Sequence, residues 1–494
     1  MDSKGQLILP PKFAADDSKC IVRCTSEQHR MLERLLYRRY PHEEWGTFFR
    51  FGYRKTSWGL VICFVDLLPP NVGDFDPKSP LVEFSPRYIN RALSTFDEGD
   101  FGIGFIHSHP QGCRPTPSRS DDDMDAYFAS EFEKFSNGRP FVSLIASRGT
   151  DHRRTFSGRS FHRGHWMTVT EWLTCGSEVL RSESSLLAPS KPTDDCADLE
   201  RVTQLLGEST APRLGNAVVG IIGCSGLGTP AAHVLARSGI GEFVLVDVGF
   251  FKKSNHERNH ASRASDLTQS QIPKVELLKR LIHEIRPSAK VTCLQADVLD
   301  DEVLDQLVRC DLVLGCTDSY YARAALGDIA THFSVPVLDL AVQMGSKDGA
   351  LTTQTGEIAR YMPGLPCPWC RNRVNAVQIR AETASDEERV QAHAAAQQAK
   401  DRGEDGAPYW IGDHPQELTV GYMTSIVGAL GAGYAHNWIT GAATIPHDRM
   451  QFDISKTAFG FVDDDKRQPL HDCACNKCVG FADQGRAYFS VSRR

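Results

Sequence analysis

The spacing of hydrophobic residues changes character about 200 residues into the chain. The earlier part contains short runs rich in β-branched and aromatic residues, TFFRFGY, GLVICFVDLL, FGIGFIH and FVSLIASRG, which predict strands. One stretch, SEQHRMLERLLYRRY, is typical of a helix. We therefore expect a mixed α+β sheet domain over residues 15–165.

Strands and helices alternate regularly from about residue 215 onwards. NAVVGIIG, EFVLVDV, KVTCLQADV and DLVLGCTD read as strands, and LGTPAAHVLARSG and KVELLKRLIHEIRP read as the helices among them. This alternation predicts right-handed crossovers and a parallel sheet, hence an α/β domain over 201–494. A Ser/Pro/Asp-rich stretch predicts a linker over 166–200, and residues 376–407 read as a solvated helix or mobile loop.

Length and composition limit the class of protein. A chain of 494 residues with 41% hydrophobic and 24% charged residues is expected to form two to four globular domains. The net charge of -7 gives no reason to expect nucleic acid or an anionic membrane as a partner. We see no signal peptide and no apolar segment long enough to span a bilayer, so we expect a cytoplasmic protein. Its 15 cysteines then read as thiols and metal ligands.

The stretch HSHPQGCRPTPSRSDDD carries the first group of candidate ligands. His107 and His109 alternate with one residue on a predicted strand, so both imidazoles point to the same face and can bind one ion. Asp121 begins a predicted helix beyond the loop and can supply a third ligand. Three protein ligands leave one position for water, as in catalytic zinc sites, and Glu43 or Glu44 upstream can take the proton of that water.

Together these motifs resemble the JAB/JAMM (Mov34/MPN) metalloprotease family, in which a Glu is followed by HxHP and then SxxD. The resemblance implies an α+β JAB/MPN-type domain that cuts isopeptide or peptide bonds after the C-terminal glycine of ubiquitin-like proteins. The roles it implies are catalytic zinc binding by His107, His109 and Asp121, general base and acid catalysis by Glu43, and oxyanion stabilisation by Ser118.

Two spacings bear on these roles. Glu43 has the family's spacing to Gly46 at the start of the next predicted strand, and Glu44 is the second choice. Eight residues separate His109 from Ser118, where the family usually has seven, so the loop between the two motifs is one residue longer.

A glycine-rich turn, IIGCSGLGTPAAHVLARSG, joins a predicted strand to a helix and forms the second candidate site. Gly223, Gly226 and Gly228 permit a tight turn, and the helix N-terminus offers free N–H groups to phosphate. Such a turn fits NAD as readily as ATP. Asp247 closes the next strand about 20 residues on, where it can accept hydrogen bonds from ribose hydroxyls.

The residues that follow distinguish between these nucleotides. Asn255 and Arg258 lie in SNHERNH, Lys274 begins a helix, and Asp318 ends a strand in LGCTDS. Cations near the phosphates and a carboxylate for magnesium stabilise the charge that grows during attack on an α-phosphate. Hydride transfer needs no such set, so an NAD-dependent oxidoreductase is a poor fit.

This constellation resembles the ThiF/MoeB and ubiquitin-activating enzyme superfamily, which adenylates the C-terminal glycine of ubiquitin-like proteins. The resemblance implies a Rossmann-like α/β fold that uses ATP and magnesium. The roles it implies are ribose binding by Asp247, phosphate binding by Asn255, Arg258 and Lys274, and magnesium binding by Asp318. Family homodimers borrow an arginine from the partner's N-terminal helix, and Arg201 is the equivalent in this sequence. Ser225 stands where the family usually has a glycine.

Two close cysteine pairs, in GLPCPWC and CACNKC, predict a second metal site. Four thiolates complete a tetrahedral shell with no open position, which is typical of structural zinc, although one CxxC alone could be redox-active. The predicted ligands, at the places where the ThiF/MoeB pattern has them, are Cys367, Cys370, Cys475 and Cys478. Cys473 is an additional thiol that could replace Cys475, or act as an unusual thioester acceptor, since no cysteine lies between Cys370 and Cys473.

The fusion of the two resemblances predicts a bacterial-type bifunctional enzyme that acts on one ubiquitin-like protein. The first domain would trim or deconjugate that protein after its terminal glycine, and the second would adenylate the exposed C-terminus. The expected partners are a ubiquitin-like or sulfur-carrier protein, and a conjugating enzyme or sulfur donor. The competing interpretation is a scaffold in which one domain is inactive and only binds the ubiquitin-like partner.

Overall fold

The computed structural model describes residues 19–39, 41–75, 83–148, 154–177, 179–187, 199–403, 418–445, 447–455, 460–462 and 467–485. Backbone contacts separate these residues into two compact units. The first holds the described residues up to 187 together with 332–334 and 478–485, and the second holds the remainder. Each unit is built around one eight-stranded sheet.

The sheet of the first unit is mixed. Its strands are β1 (Lys19–Thr25), β2 (Gly46–Thr56), β3 (Gly59–Leu68), β4 (Gly102–Ser108), β5 (Phe141–Arg148), β6 (Arg154–His162), β7 (His165–Cys175) and β8 (Val179–Glu183). Their order is β1-β3-β2-β4-β5-β6-β7-β8, with β4 parallel to β5 and antiparallel to β2. Because β1 also pairs with β7, the pairings of the first seven strands close into a ring.

Helices cover this sheet and fix one of the candidate ligands. They are α1 (Ser26–Leu36), α2 (Pro86–Ser94) and α3 (Arg119–Glu133). α3 begins at a capping box, in which the Ser118 hydroxyl accepts the Asp121 N–H and the Asp121 carboxylate accepts the Ser118 N–H. The carboxylate of Asp121 is therefore held at the first turn of the helix.

An aromatic core packs α2 and α3 against the strands. The buried Phe48 ring centroid lies 5.1 Å from that of Tyr88 on α2, 5.5 Å from Phe105 on β4 and 5.3 Å from Phe128 on α3. Burying aromatic rings supplies much of the hydrophobic stabilisation of such a core. It also holds α3 beside β4, which contains His107 and ends one residue before His109.

The sheet of the second unit has a parallel half and an antiparallel half. Its strands are β9 (Val218–Ile222), β10 (Glu242–Val246), β11 (Lys290–Leu294), β12 (Leu312–Gly315), β13 (Val337–Lys347), β14 (Ala350–Tyr361), β15 (Arg449–Asp453) and β16 (Gly460–Val462). Neighbouring strands pair in parallel in the order β11-β10-β9-β12-β13. The sheet continues from β13 through β14, β15 and β16 by antiparallel pairs. The chain reverses direction across the sheet between β9 and β12, which is where doubly wound sheets bind ligands.

The helices of the second unit connect and cover these strands. They are α4 (Glu200–Leu206), α5 (Thr210–Asn216), α6 (Gly228–Arg237), α7 (Lys274–Ile285), α8 (Asp301–Leu307), α9 (Tyr320–His332), α10 (Ala376–Thr383), α11 (Asp386–Asp401), α12 (Gly421–Thr440) and α13 (Ala474–Lys477). α12 packs closely on α6, since a Cβ on Gly428 would lie 2.6 Å from the Pro230 ring. In the part of the chain that is described, no helix is both long and apolar enough to cross a membrane.

The predicted α/β fold of the second domain is confirmed, but the predicted linker over 166–200 is wrong in its first half. His165–Cys175 and Val179–Glu183 are strands of the first sheet. Polar residues within both strands weaken their hydrophobic signal, so they read as part of the Ser/Pro-rich stretch that follows. Residues 15–18 of the predicted first domain and 188–198 of the predicted linker lie outside the described residues.

The segment predicted as a solvated helix or mobile loop over 376–407 contains two helices, α10 and α11. Ala399 is the one buried residue within these two helices, so the solvated-helix prediction is confirmed for them. Residues 404–407 lie outside the described part.

Candidate functional site

The glycine-rich turn after β9 is sterically restricted at two of its three predicted glycines. Gly223 has φ +95°, and a Cβ there would lie 2.5 Å from the Cys316 carbonyl oxygen. A Cβ on Gly228, the first residue of α6, would lie 2.1 Å from the carbonyl oxygen of Gly223. The turn therefore requires glycine, and it directs the N-terminus of α6 towards the carboxyl ends of β9 and β12.

A cavity of about 300 Å³ opens at this edge of the sheet. It is lined by seven of the predicted nucleotide-site residues, Gly223, Gly226, Asp247, Asn255, Arg258, Lys274 and Asp318. Gly228 shapes the turn instead of lining the cavity. Arg201 is exposed on α4 and is absent from the lining. Residues from five separate chain segments thus meet at the switch point of the sheet.

Backbone hydrogen bonds fix the Asp247 carboxylate at the rim of the turn. Its Oδ2 accepts the Cys224 N–H at 2.8 Å, and its Oδ1 accepts the Gly249 N–H at 2.7 Å. The Lys274 Nζ lies 3.4 Å from the same Oδ1. A carboxylate and an ammonium are therefore held side by side at the point where the chain leaves β10.

Two buried polar atoms of the cavity lining have no hydrogen-bond partner among the described residues, the Ser225 Oγ and the Arg258 Nε. Arg258 is held from its other end, where Nη1 donates to the Thr419 Oγ1 at 2.8 Å. A buried donor without a partner is unfavourable, so these atoms fit an anionic ligand such as a phosphate. Asp318 is exposed just beyond β12 and leaves its carboxylate open to the cavity.

In the first unit, His107, His109 and Asp121 meet as one group of ligand atoms within 4.8 Å of one another. His107 Nε2 lies 3.1 Å from Asp121 Oδ1, and His109 Nε2 lies 3.6 Å from Asp121 Oδ2. Ligands 2.0–2.1 Å from a tetrahedral zinc ion are separated by about 3.3 Å. All three side chains are buried, and the spacing of their donor atoms fits one zinc ion.

Hydrogen bonds within this group shift the pKa of two of its members. Burial acts to raise the pKa of Asp121, but hydrogen bonds from His107 and His109 hold that pKa well below its ordinary value. Burial acts to lower the pKa of His109, and its hydrogen bond to Asp121 raises that pKa overall. The His109 Nδ1 lies 3.2 Å from the Arg114 carbonyl oxygen, an acceptor that leaves Nε2 as the free ligand atom.

The structure distinguishes the surroundings of the two candidate general bases. Glu43 is ion-paired with Arg39, and its side chain is 43% exposed. Glu44 is half-buried and lies near enough to the histidines to interact with them electrostatically: burial raises its pKa, whereas His107 and His109 act to lower it. The cause is strand geometry: Gly46 pairs with His107, so the residue two positions before Gly46 points to the face of the sheet that His107 occupies.

Ser118 lies beside the group as the N-cap of α3. Its backbone N–H donates to Asp121 Oδ2 at 2.7 Å, and its exposed hydroxyl lies 2.8 Å from the Ser120 Oγ. The longer loop after His109 therefore still brings SxxD to the histidines.

Four thiols in the second unit form another compact group, Cys367, Cys370, Cys473 and Cys475. The Sγ–Sγ distances are 3.7 Å for Cys367–Cys370, 3.5 Å for Cys367–Cys473 and 3.6 Å for Cys370–Cys475. Zinc–sulfur bonds of 2.3 Å place tetrahedral sulfurs about 3.8 Å apart, whereas a disulfide joins them at about 2.0 Å. The geometry fits a four-thiolate zinc shell.

The grouped thiols differ from the predicted ligand set in one member. Cys478 is not among the four grouped thiols, and Cys473 is present in addition to Cys475. The short helix α13 begins at Ala474, so Cys473 and Cys475 both turn towards the first pair. The Leu470 N–H donates to the Cys370 Sγ at 3.3 Å. Burial acts to raise the pKa of Cys370, but this bond and the neighbouring thiols lower that pKa overall.

The sequence profile of the ThiF family matches residues 199–475, more than half of the chain. The chain belongs to the ThiF family. The match confirms the ThiF/MoeB resemblance, and it assigns the second unit a ThiF-type, Rossmann-like adenylyltransferase fold.

Curated relatives resemble parts of this ThiF-family chain. The sulfur carrier protein ThiS adenylyltransferase of Escherichia coli is 32% identical over 27% of this chain and 52% of its own length. The molybdopterin-synthase adenylyltransferase of the same organism is 33% identical over 31% of this chain and 58% of its own. The SAMP-activating enzyme E1 of Haloferax volcanii is 26% identical over 36% and 63%. The chain thus spans little more than half the length of these relatives.

The ThiF-family cavity also contains residues that the sequence analysis did not select. Tyr321 on α9 donates to Asp297 Oδ2 at 2.6 Å, and both residues line the cavity. Arg323, another lining residue, donates from Nε to the buried Asp339 at 2.7 Å. Asp297 follows β11, so it lies at the carboxyl edge of the parallel sheet. The strand prediction could therefore have indicated this residue. The Arg323–Asp339 pair has no comparable signal, since its members come from separate elements.

Proposed function

We propose that this ThiF-family chain is a bifunctional enzyme of one ubiquitin-like pathway. Its second unit would adenylate the C-terminal glycine of a ubiquitin-like or sulfur-carrier protein, and its first unit would cleave bonds that follow that glycine. The observation that carries the proposal is the cavity that collects Asp247, Lys274, Arg258 and Asp318 at the sheet's switch point. Relatives named for the adenylation of ThiS and the activation of SAMP support this kind of substrate.

The lining of the cavity suits nucleotide binding. ATP with magnesium would supply the α-phosphate that the terminal carboxylate attacks, with release of pyrophosphate. Asp247 would accept hydrogen bonds from ribose hydroxyls, and Asp318 would hold the magnesium ion. Asn255, Lys274 and Arg258 line the cavity and would donate to the phosphates. Among the described residues, the Arg258 Nε has no hydrogen-bond partner.

The first unit is proposed to be a JAMM-type zinc metallopeptidase. A zinc ion held by His107, His109 and Asp121 would lower the pKa of a bound water towards about 7. Glu44 faces these ligands and would take the proton from that water and deliver it to the leaving amine. Ser118, fixed beside Asp121, would donate to the oxyanion of the tetrahedral intermediate.

The fate of the acyl-adenylate follows from the cysteines. No cysteine lies between Cys370 and Cys473. Cys316 lines the cavity, but burial raises its pKa far above the ordinary value and so disfavours the thiolate that thioester formation needs. We therefore propose direct transfer to an external nucleophile, such as a sulfur donor or a conjugating enzyme.

Two further parts of the proposal concern assembly. The four grouped thiols would hold a structural zinc, because a closed tetrahedral shell has no position for substrate. The adenylating half would act as a homodimer in which Arg201, exposed on α4, reaches the active site of the second subunit. No nucleic acid or membrane is proposed as a partner.

Two single changes separate the proposed activities. Pyrophosphate exchange with a panel of ubiquitin-like and sulfur-carrier proteins ending in glycine measures adenylation, and cleavage of C-terminally extended forms measures hydrolysis. We expect Asp318→Ala to abolish exchange alone and His107→Ala to abolish cleavage alone. Cleavage without any exchange would favour the scaffold interpretation, in which the second unit only binds its partner.

A further inference from the structure

Asp125 is a buried carboxylate one helical turn beyond Asp121 on α3. It is 1% exposed, and its spacing from Asp121 places both carboxylates on the side of α3 that faces the sheet. Beneath it, Phe105, Ser143 and Arg159 are paired across β4, β5 and β6, so their side chains share one face. Asp125 therefore lies on the buried side of α3 together with Asp121, away from solvent.

Arg159 binds Asp125 from this face. Arg159, itself 3% exposed, donates from Nη2 to Asp125 Oδ2 and from Nη1 to Asp122 Oδ1. The other oxygen of Asp125, Oδ1, is buried and has no hydrogen-bond partner among the described residues. A buried carboxylate oxygen in this state is unfavourable unless it serves a further group.

His107 carries a donor nitrogen in the same state. Its Nδ1 is buried and, within the described residues, has no hydrogen-bond partner. The ring stacks on Phe105, with centroids 5.3 Å apart and planes at 13°, so it leans towards the row of side chains over which Asp125 lies. The two side chains also interact electrostatically: burial raises the pKa of Asp125, while Arg159, the neighbouring Ser143 hydroxyl and His107 act to lower it.

Metal-bound histidines nearly always donate their second ring N–H to an acceptor, which fixes the tautomer and strengthens the ligand. His109 has such an acceptor, the Arg114 carbonyl oxygen. We propose that Asp125, held by Arg159, is the corresponding positioning residue for His107. This inference rests on the proposed zinc site and adds to it a buried carboxylate that orients one of the metal ligands. The proposed metal would then be bound more tightly than its three ligands alone provide.

Asp122 offers a matched control, because Arg159 binds both carboxylates whereas the Asp122 side chain is 22% exposed. The test measures zinc release from the full chain to a graded series of chelators, with His107→Ala identifying the ion of this site. We expect Asp125→Asn to lower the affinity for that ion about 10- to 100-fold and Asp122→Asn to leave the affinity at the wild-type value. Asp125→Glu, which retains the charge, should recover part of the loss.

The outcomes are distinguishable. Equal zinc affinity in Asp125→Asn and Asp122→Asn would overturn the role of Asp125 alone. Absence of any ion that His107→Ala removes would overturn the proposed metal site together with this inference. If Asp125→Asn fails to fold, the double change Asp125→Asn with Arg159→Met removes both buried charges and should still lower the affinity for zinc. The visible spectrum of the cobalt-substituted protein gives a second readout, and it should shift in Asp125→Asn but not in Asp122→Asn.

Discussion

Gly46 pairs directly with His107 across the antiparallel β2–β4 ladder. This register decides which of two neighbouring glutamates faces the proposed metal site, because side chains alternate between the faces of a strand. Glu44 interacts electrostatically with His107 and His109, whereas Glu43 pairs with Arg39.

Changing each glutamate separately tests this assignment. Glu44→Gln removes the proposed proton carrier without changing side-chain size, so we expect cleavage of a C-terminally extended ubiquitin-like protein to fall about 100- to 10,000-fold. Glu43→Gln is the control and should retain nearly the wild-type rate, measured as single-turnover cleavage. The opposite ranking would restore the assignment that the family spacing predicted.

The cysteine cluster predicts unequal effects for two nearby thiols. Cys473→Ser removes one of the four grouped sulfurs and should release one zinc ion and lower the melting temperature. Cys478→Ser should keep that zinc, since its thiol is outside the group. Zinc content by atomic spectroscopy, with thermal unfolding of the same samples, distinguishes the two. Loss of zinc in Cys478→Ser alone would contradict the proposal that the four grouped thiols bind the ion.

The glycine-rich turn predicts a graded response to alanine. Gly223→Ala combines a φ of +95° with a 2.5 Å approach to a carbonyl oxygen, so the free energy of unfolding should fall by about 2 kcal/mol or more. Gly226→Ala meets only side-chain atoms, at 3.2 Å from Thr424 and 3.3 Å from Arg258, and should be milder. Chemical denaturation followed by circular dichroism measures both. Equal losses would mean that the turn is not restricted as described.

Ser225 predicts an effect on ligand binding without an effect on folding. Its buried hydroxyl has no partner within the described structure, so Ser225→Ala should leave the melting temperature unchanged or slightly higher. If the hydroxyl donates to a phosphate, magnesium-ATP affinity should fall about 10- to 100-fold, measured by calorimetry. Ser225→Gly should weaken binding equally. Tighter binding in Ser225→Gly would show that the hydroxymethyl group obstructs the nucleotide.

The sequence predicted the second fold well because its strands are buried on both faces. Such strands form continuous apolar runs, as in VVGII and LVLG, and their carboxyl ends identify the ligand-binding edge. Asp247 and Asp318 could be selected from the sequence for that reason. The Asp297–Tyr321 contact could not, since it joins two elements that only the folded sheet brings together.

In the first unit, the sequence predicted the metal-ligand group but did not determine which of two neighbouring glutamates lies near it. The ligand set His107, His109 and Asp121 followed from strand alternation and a helix start, and the structure brings these residues together. The choice between Glu43 and Glu44 depended on where β2 begins its ladder, which hydrophobic spacing does not determine. The thiol group of the second unit posed a similar choice, between Cys473 and Cys478. That choice depended on the direction of a four-residue helix.

The central claim, that the ThiF-family cavity activates a C-terminal carboxylate, is tested most directly by ATP–pyrophosphate exchange with a pool of short peptides ending in Gly-Gly. The account predicts exchange that requires magnesium, is abolished by Asp318→Ala, and stops when the same peptides carry a C-terminal amide. Exchange that proceeds equally with amidated peptides, or no exchange with any free carboxylate under conditions where ATP binds, would contradict it.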